Sequence, residues 1–392
     1  MSSNAEPLKI AVIAGEESGD LLGADLIAAL RMQSGGDVEL FGVGGRNLMA
    51  LGLRSIFDAE DIALMGVSAI LWDLPRLLRR IGQTARAIAD AKPDCVVTID
   101  SPEFSLRVAR KLRSLAPSIP IVHYVCPSVW AWRPGRAVAM RPFVDEILCL
   151  LPFEPAELSR LNGPPGTFVG HRLATDPHIL NAANAHLKGK PKRADAQRTL
   201  LLLPGSRRGE VSRLLHPFGD TIRHLDDAGH DFRILMPTVP HVAQLIEETV
   251  GTWPVKPEII LEPARKWQAF AEADAALACS GTVSLELALS RVPTILCYKT
   301  DLAARALIPL ITVWSAALPN LIADWPVVPE HFNRHIRPSY LARQLTGLWA
   351  ERPPRAAQMA GFQEVAEALA TERPSGEIAA HVVMRHVAES RR

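Results

Sequence analysis

The 392-residue chain has almost no net charge: 43 Lys and Arg stand against 42 Asp and Glu, a formal balance of +1. With no basic excess to neutralise phosphates, no nucleic-acid partner is expected. Cysteine is scarce. The five residues Cys95, Cys126, Cys149, Cys279 and Cys297 are widely spaced in apolar stretches and contain no C-x-x-C pair. That pattern reads as reduced, buried thiols in a cytoplasmic chain. The run Ile10–Ala14 is too short for a signal-peptide core, so no export signal is expected. Residues 306–323 form an uncharged stretch as long as a short membrane span, but Pro309, Thr312, Ser315, Pro319 and Asn320 interrupt it. A buried or interfacial segment fits it better. Three common ligand motifs are also missing, namely D-x-D, G-x-G-x-x-G and G-K-[ST]. His331 and His335 sit four apart with no third ligand near, so neither a metal nor a cofactor is expected.

What is present is a long, apolar chain, with 48% hydrophobic and 22% charged residues. That excludes disorder, collagen and coiled coil, and points to two domains of roughly 150 to 200 residues. Short apolar runs alternate with helical spacing. In the first half they are Leu8–Ala14, Val38–Val43, Cys95–Ile99, Pro120–Tyr124 and Glu146–Leu150. Runs with so few polar interruptions suit parallel strands covered by helices on both faces. The stretch 181–198, rich in Ala, Asn and Lys, reads as a linker. A second series follows, with Thr199–Leu203, Phe232–Met236, Glu258–Leu261, Ala275–Ala278 and Thr294–Tyr298. The expected fold is α/β, two doubly wound Rossmann-like domains facing a cleft. Their expected bounds are 1–180 and 199–345, with closing helices over 346–392.

Several strand ends carry chemistry. Gly15-Glu16-Glu17-Ser18-Gly19-Asp20 joins the first strand to a helix; it suits a ligand approach, or a plain turn with Ser18 or Asp20 as cap. Asp100 stands directly at the end of a buried strand, where open sheets bind ligands, and is a candidate general base; capping the helix from Pro102 is the alternative. His123, Trp130 and Trp132 follow another strand, as a sugar-stacking platform or as packing. Leu203-Pro204-Gly205-Ser206-Arg207-Arg208 offers backbone amides and guanidiniums to a diphosphate, or is a solvated pair at a helix start. Ser280, Gly281 and Thr282 open a helix that suits phosphate, with Glu286 one turn on suited to a ribose diol; a capping box is compatible with both. In residues 67–82, Leu71, Trp72, Leu74 and Leu77 alternate with arginines such as Arg79. This is a membrane-interface helix or an ordinary core-facing one.

In order along the chain, GEESGDLLGA (15–24), GVGG (42–45), LMGVSAIL (64–71), DSPEF (100–104), HYVCPSVWAWR (123–133), LPFEP (151–155), FVGH (168–171), LLPGSR (202–207), CSGTVSLE (279–286) and LPN (318–320) resemble the lipid-A-disaccharide synthase family. The resemblance covers nearly the whole chain. It departs from the family pattern at Cys126, Arg172 and Asn333.

The resemblance implies a GT-B fold and an inverting glycosyltransferase of lipid A (lipopolysaccharide) biosynthesis. The family moves 2,3-diacylglucosamine from UDP-2,3-diacylglucosamine to 2,3-diacylglucosamine 1-phosphate, forming a β-1,6 link and UDP. Residue by residue, it implies Asp100 as base, Arg207 with Ser280, Gly281 and Thr282 at the diphosphate, Glu286 at the ribose and Asn320 beside the nucleotide. Glu16, Ser18, Asp20, His123 and Trp130 would line the substrate side. Acyl chains favour the membrane reading of Leu71, Trp72, Leu74, Leu77 and Arg79, with the enzyme peripheral on the cytoplasmic face of the inner membrane. A homodimer exchanging C-terminal parts is also implied.

Overall fold

Two parallel sheets carry the chain in this computed structural model, which describes residues 7–59, 61, 70–189, 197–300, 308–350 and 352–392. The first holds β1 (Leu8–Ala14), β2 (Val38–Val43), β3 (Arg54–Ser55), β4 (Cys95–Ile99), β5 (Ile121–Tyr124), β6 (Glu146–Cys149) and β7 (Gly166–Phe168), in the order β3-β2-β1-β4-β5-β6-β7. The second holds β8 (Arg198–Leu203), β9 (Phe232–Pro237), β10 (Pro257–Ile260), β11 (Ala275–Cys279), β12 (Thr294–Tyr298) and β13 (Glu330–Phe332), in the order β10-β9-β8-β11-β12-β13. Both orders are doubly wound, with the direction of progression reversing beside the first strand of each sheet.

The central strands of both sheets are buried on both faces. In β1, Ile10, Val12 and Ala14 enter one apolar cluster while Ala11 and Ile13 enter the other. In β8, Leu200 and Leu202 go one way, Leu201 and Leu203 the other. Period-two alternation has nothing polar to reveal in such strands, which is why they read as continuous apolar runs. All five cysteines are free and buried.

The chain divides into a unit of Met1–Arg172 with Thr371–Arg392, and a unit of Leu173–Ala370. This differs from the expected bounds at two places. The first eight residues of the expected linker, 181–188, are helix: Pro177–Lys188 is capped by Asp176, whose side chain accepts from the His178 N–H at 2.9 Å and the Ile179 N–H at 3.4 Å. Ile179, Ala182 and Ala183 are buried, and residues 190–196 lie outside the described residues. The small alanines that look like linker composition are a packed helix face.

The closing helices also part company. Pro338–Trp349 and Pro353–Leu369 belong to the second unit, whereas Ser375–Ser390 returns to the first. There it packs on the helix Glu17–Ser34, with Gly376 seated so close to the Asp25 backbone that a Cβ would approach the carbonyl oxygen to 2.8 Å. Arg385 and His386 both reach Glu146 on β6. No helix among the described residues is long and apolar enough to cross a membrane. The uncharged 306–323 stretch resolves, in its described part, into a short turn at Ile308–Leu310 and the helix Leu318–Ala323.

Candidate active site

In the first unit the strand order reverses between β1 and β4, so the carboxyl ends of those two strands frame the place where such sheets bind ligands. Glu16 follows β1 and Asp100 follows β4. Asp100 and Ser101 are consecutive non-glycine residues in left-handed conformation, with φ of 49° and 44°. Such backbone persists only where its surroundings hold it. Three bonds do so: the Asp100 N–H donates to the Tyr124 carbonyl at 2.9 Å, and the Ser105 hydroxyl donates to the carbonyls of Asp100 and Ser101. The Ser101 hydroxyl donates to Glu16 Oε1 at 3.4 Å, tying the two strand ends together. Burial pushes the Asp100 carboxyl above the usual range, against a hydrogen bond from the Ser101 amide. The capping alternative for Asp100 falls away, because the N-cap of Pro102–Leu115 is Ser101, and it makes no side-chain cap bond.

Three of the other residues expected on the substrate side, Asp20, His123 and Trp130, are engaged inside the fold. Ser18 is exposed like Glu16, but Asp20 is only 3% exposed. Its carboxylate accepts from the amides of Gly45 (2.7 Å), Asn47 (2.7 Å) and Leu48 (3.3 Å), and from Asn47 Nδ2 (3.0 Å). Asp20 therefore anchors the GVGG turn, and neither it nor Ser18 caps its own helix, whose N-cap is Glu16. A Cβ on Gly45 would meet the Asp20 carboxylate at 3.0 Å, so the two motifs fit each other.

His123 lies within β5, fully buried, and shares a 2.7 Å hydrogen bond with Thr98; burial drives its pKa down to about 3, so it is neutral and faces no solvent. Trp130 packs edge-on against Phe153 and donates from Nε1 to Glu154 at 3.1 Å, which favours packing over a stacking platform. Leu77 is 3% exposed in the core of the first unit, so it cannot belong to a membrane face. Arg79 is exposed on the helix Ile70–Ala91, while the side chains of Leu71, Trp72 and Leu74, and residues 64–69 of the LMGVSAIL motif, lie outside the described residues.

In the second unit, β8 and β11 frame the corresponding reversal. After β8, Gly205 turns with φ of 116°; a Cβ there would collide with Glu210 at 2.8 Å. Arg207 is the N-cap of the helix Arg208–Asp227 and donates to Glu210 twice, from its backbone N–H at 3.4 Å and from its guanidinium at 3.1 Å, leaving its side chain 84% exposed and its guanidinium only partly used. After β11, the Ser280 hydroxyl donates to the Ala316 carbonyl at 3.1 Å, while Gly281 and Thr282 are exposed. Thr282 is the N-cap of Val283–Leu289 without a side-chain cap bond, so the capping box expected there does not form.

Two residues that sequence motifs did not single out shape this site. Lys266, on the helix Pro263–Glu272, donates to Glu286 Oε2 at 2.8 Å and lies 4.4 Å from the Trp267 ring centre. Glu330, from β13, accepts from the Ser315 hydroxyl and from the Ala316 amide at 3.0 Å. Asn320, expected beside the nucleotide, is 1% exposed and spends its amide inward: Nδ2 reaches Ser315, Val328 and Glu330, and Oδ1 accepts from the Val328 N–H at 2.8 Å. It shapes the loop that meets Ser280 and has no amide group left for a ligand.

One group of potential metal ligands stands among the described residues. Cys126, Cys149 and Glu154 bring their ligating atoms within 4.8 Å of one another, all buried. Glu154 already accepts from the Leu150 and Leu151 amides, both at 3.0 Å, and from Trp130. The neighbouring Cys149 thiol, then burial and Glu154, push the Cys126 thiol up. The two histidines of the four-apart pair are held separately: His331 bonds Gln344 at 2.7 Å from β13, and His335 sits in a separate short turn.

Known structures share this architecture. The calicheamicin glycosyltransferase CalG4 matches with a TM-score of 0.60 at 14% identity, covering 98% of this chain and 99% of that one. S. aureus MnaA with UDP matches at 0.59 and 14%, covering 97% and 96%. The fold is thus that of the GT-B glycosyltransferases, two Rossmann-like α/β domains. A family model described as lipid-A-disaccharide synthetase matches residues 10–382. The lipid-A-disaccharide synthase of Rhodopseudomonas palustris (strain HaA2) is 45% identical, covering 96% of this chain and 97% of the relative; that of Bradyrhizobium diazoefficiens (strain JCM 10833 / BCRC 13528 / IAM 13628 / NBRC 14792 / USDA 110) is 40% identical, covering 98% of both. The chain belongs to the lipid-A-disaccharide synthetase family, and is a glycosyltransferase of lipid A disaccharide synthesis.

Proposed function

We propose that the chain transfers 2,3-diacylglucosamine from UDP-2,3-diacylglucosamine to the 6-hydroxyl of 2,3-diacylglucosamine 1-phosphate, with inversion, giving the β-1,6 disaccharide 1-phosphate and UDP. The observation that carries the reading is Asp100, held in strained backbone at the switch point of the first sheet, with a carboxyl raised by burial. A base of raised pKa takes a hydroxyl proton more effectively than an ordinary carboxylate. Inversion needs one displacement, with Asp100 receiving the proton of the acceptor hydroxyl as it attacks the anomeric carbon and the C–O bond to UDP breaks.

In this reading Arg207 and the Ser280–Gly281–Thr282 turn receive the diphosphate, whose negative charge grows as it departs. Glu286, oriented by Lys266, accepts the ribose hydroxyls. Asn320 acts through the 315–317 loop and not by contact. Peripheral attachment to the cytoplasmic face of the inner membrane is part of the proposal, supported by the acylated substrates and by exposed Leu78 and Arg79 on Ile70–Ala91. So is a homodimer with exchanged C-terminal parts, in which Ser375–Ser390 would make the contact to Glu17–Ser34 between copies.

The test is UDP release from the donor by wild type and Asp100→Asn, with and without acceptor in mixed micelles. Acceptor-dependent release, reduced about 10²–10⁴-fold in the variant while donor binding persists, is the expected result. Release that is indifferent to the acceptor, or a variant as fast as wild type, overturns it.

A further inference from the structure

Beside the Asp100 loop lies a cavity of about 200 Å³ between the helices Pro102–Leu115 and Gly135–Met140. The donor chemistry described above makes no use of it. Met140 and Phe143, both buried, give it an apolar wall, and Glu103, Arg107, Arg110 and Arg136 supply its charge. Three guanidiniums against one carboxylate leave a local charge of about +2, in a chain whose overall balance is +1.

The side chains are arranged by the protein itself. Glu103 accepts from Arg107 at 3.1 Å and from Arg136, and Arg133 approaches it to 3.8 Å. Burial raises the Glu103 carboxyl, but the bonds from Arg136 and Arg107 outweigh it and hold the group below the usual range, so it stays ionised. The Arg110 guanidinium lies 4.9 Å from the Phe143 ring centre. Each guanidinium carries five N–H donors in a planar fork, more than the contacts to Glu103 use. Glu103, Arg107 and Arg110 share one face of the helix that begins two residues after Asp100, so the charged stripe runs away from the base.

We propose that this cavity binds the phosphate monoester of the sugar acceptor, placing the opposite end of the ring at Asp100. The proposal rests on the transfer reading above, in which the acceptor carries a phosphate one sugar ring away from the attacking hydroxyl. A phosphate monoester near neutral pH carries roughly −1.5 to −2, which complements the charge of the lining. Guanidinium forks suit its oxygens, and a bound phosphate orients the acceptor by a group that takes no part in the chemistry.

The test measures transfer by wild type and Arg110→Gln/Arg136→Gln, using the acceptor with its phosphate and the same lipid without it, in neutral micelles. In wild type, removing the phosphate raises the acceptor KM tenfold or more. In the variant the two acceptors become equivalent, at the KM wild type shows for the phosphate-free lipid, while the donor KM stays within twofold. A variant that still discriminates between the acceptors as wild type does overturns the proposal. Arg110→Gln alone, a change at an exposed side chain, gives the same readout if the double variant does not fold, with partial loss of discrimination expected and none overturning.

Two further arms separate the sources of failure. If wild type transfers to neither acceptor, the function reading fails, and calorimetry with glucosamine 1-phosphate against glucosamine then judges the cavity alone. Preference for the phosphorylated sugar, lost in the variant, upholds the site; no preference overturns it. If the variant loses co-sedimentation with anionic vesicles yet keeps its discrimination between acceptors, the arginines serve lipid headgroups and the proposal is overturned.

Discussion

The return of the C-terminal helix to the first unit gives a prediction whose size follows from one carboxylate. Glu146 on β6 is 4% exposed and accepts from His386 at 2.7 Å, from Thr167 at 2.5 Å and from Arg385. Burial alone would raise its pKa; the bonds from His386, Thr167 and Arg385 outweigh burial and lower it from 4.5 to about 2. A depressed carboxylate stabilises the fold above its unfolded pKa, and the stabilisation is lost as pH falls from about 4.5 through about 2. The gap corresponds to roughly 3 kcal/mol at neutral pH. Glu146→Gln should therefore lower the unfolding free energy by about that amount at pH 7, and by progressively less below pH 4.5. Arg385 is half exposed, so its charge is not stranded when the carboxylate goes. The assay is urea unfolding of both proteins at several pH values from 7 to 3, followed by far-UV dichroism. A deficit under about 1 kcal/mol at pH 7, or one that stays constant to pH 3, refutes the reasoning.

Three further outcomes are expected. Asp20→Ala leaves the amides of Gly45, Asn47 and Leu48 without their acceptor and should cost about 3 kcal/mol, read as a lowered Cm; an unchanged Cm would return Asp20 to the substrate side. Lys266→Met releases Glu286, raising the KM for the UDP donor roughly five- to twentyfold with kcat within twofold, and Lys266→Arg should restore most of it; a kcat effect at unchanged KM would contradict a positioning role. For Asp100, the raised carboxyl means the active, ionised form is lost at a higher pH than an ordinary aspartate would show. The acidic limb of kcat/KM should accordingly lie above pH 3.8, and a limb at or below that value would exclude Asp100 as the titrating base.

The strands were readable because parallel strands buried on both faces leave long apolar signatures: Leu8–Ala14, Val38–Val43, Cys95–Ile99 and Thr294–Tyr298 coincide with β1, β2, β4 and β12. Composition misled where a buried face is made of alanine, as in Pro177–Lys188. The return of Ser375–Ser390 left no local trace, since its partners Asp25 and Glu146 lie more than two hundred residues away in the chain.

Polar residues in motifs were harder to assign, for a related reason. A motif marks a residue whose replacement is costly, but ligand contact and internal anchoring make the same mark. Asp20 holds the GVGG turn, Asn320 holds the 315–317 loop and His123 lies inside a strand, although each stands in a motif beside exposed groups such as Ser18 and Thr282. What separates the classes is satisfaction: every Asn320 amide group finds a protein partner, whereas Arg207 leaves most of its fork in solvent. Lys266 and Glu330 show the converse. Each sits in no recognisable pattern, yet Lys266 orients Glu286 and Glu330 secures the loop against Ser280. Ligand contacts in this family are therefore best sought among the under-satisfied members of each motif, with the satisfied members and their off-motif partners forming the support that holds them in place.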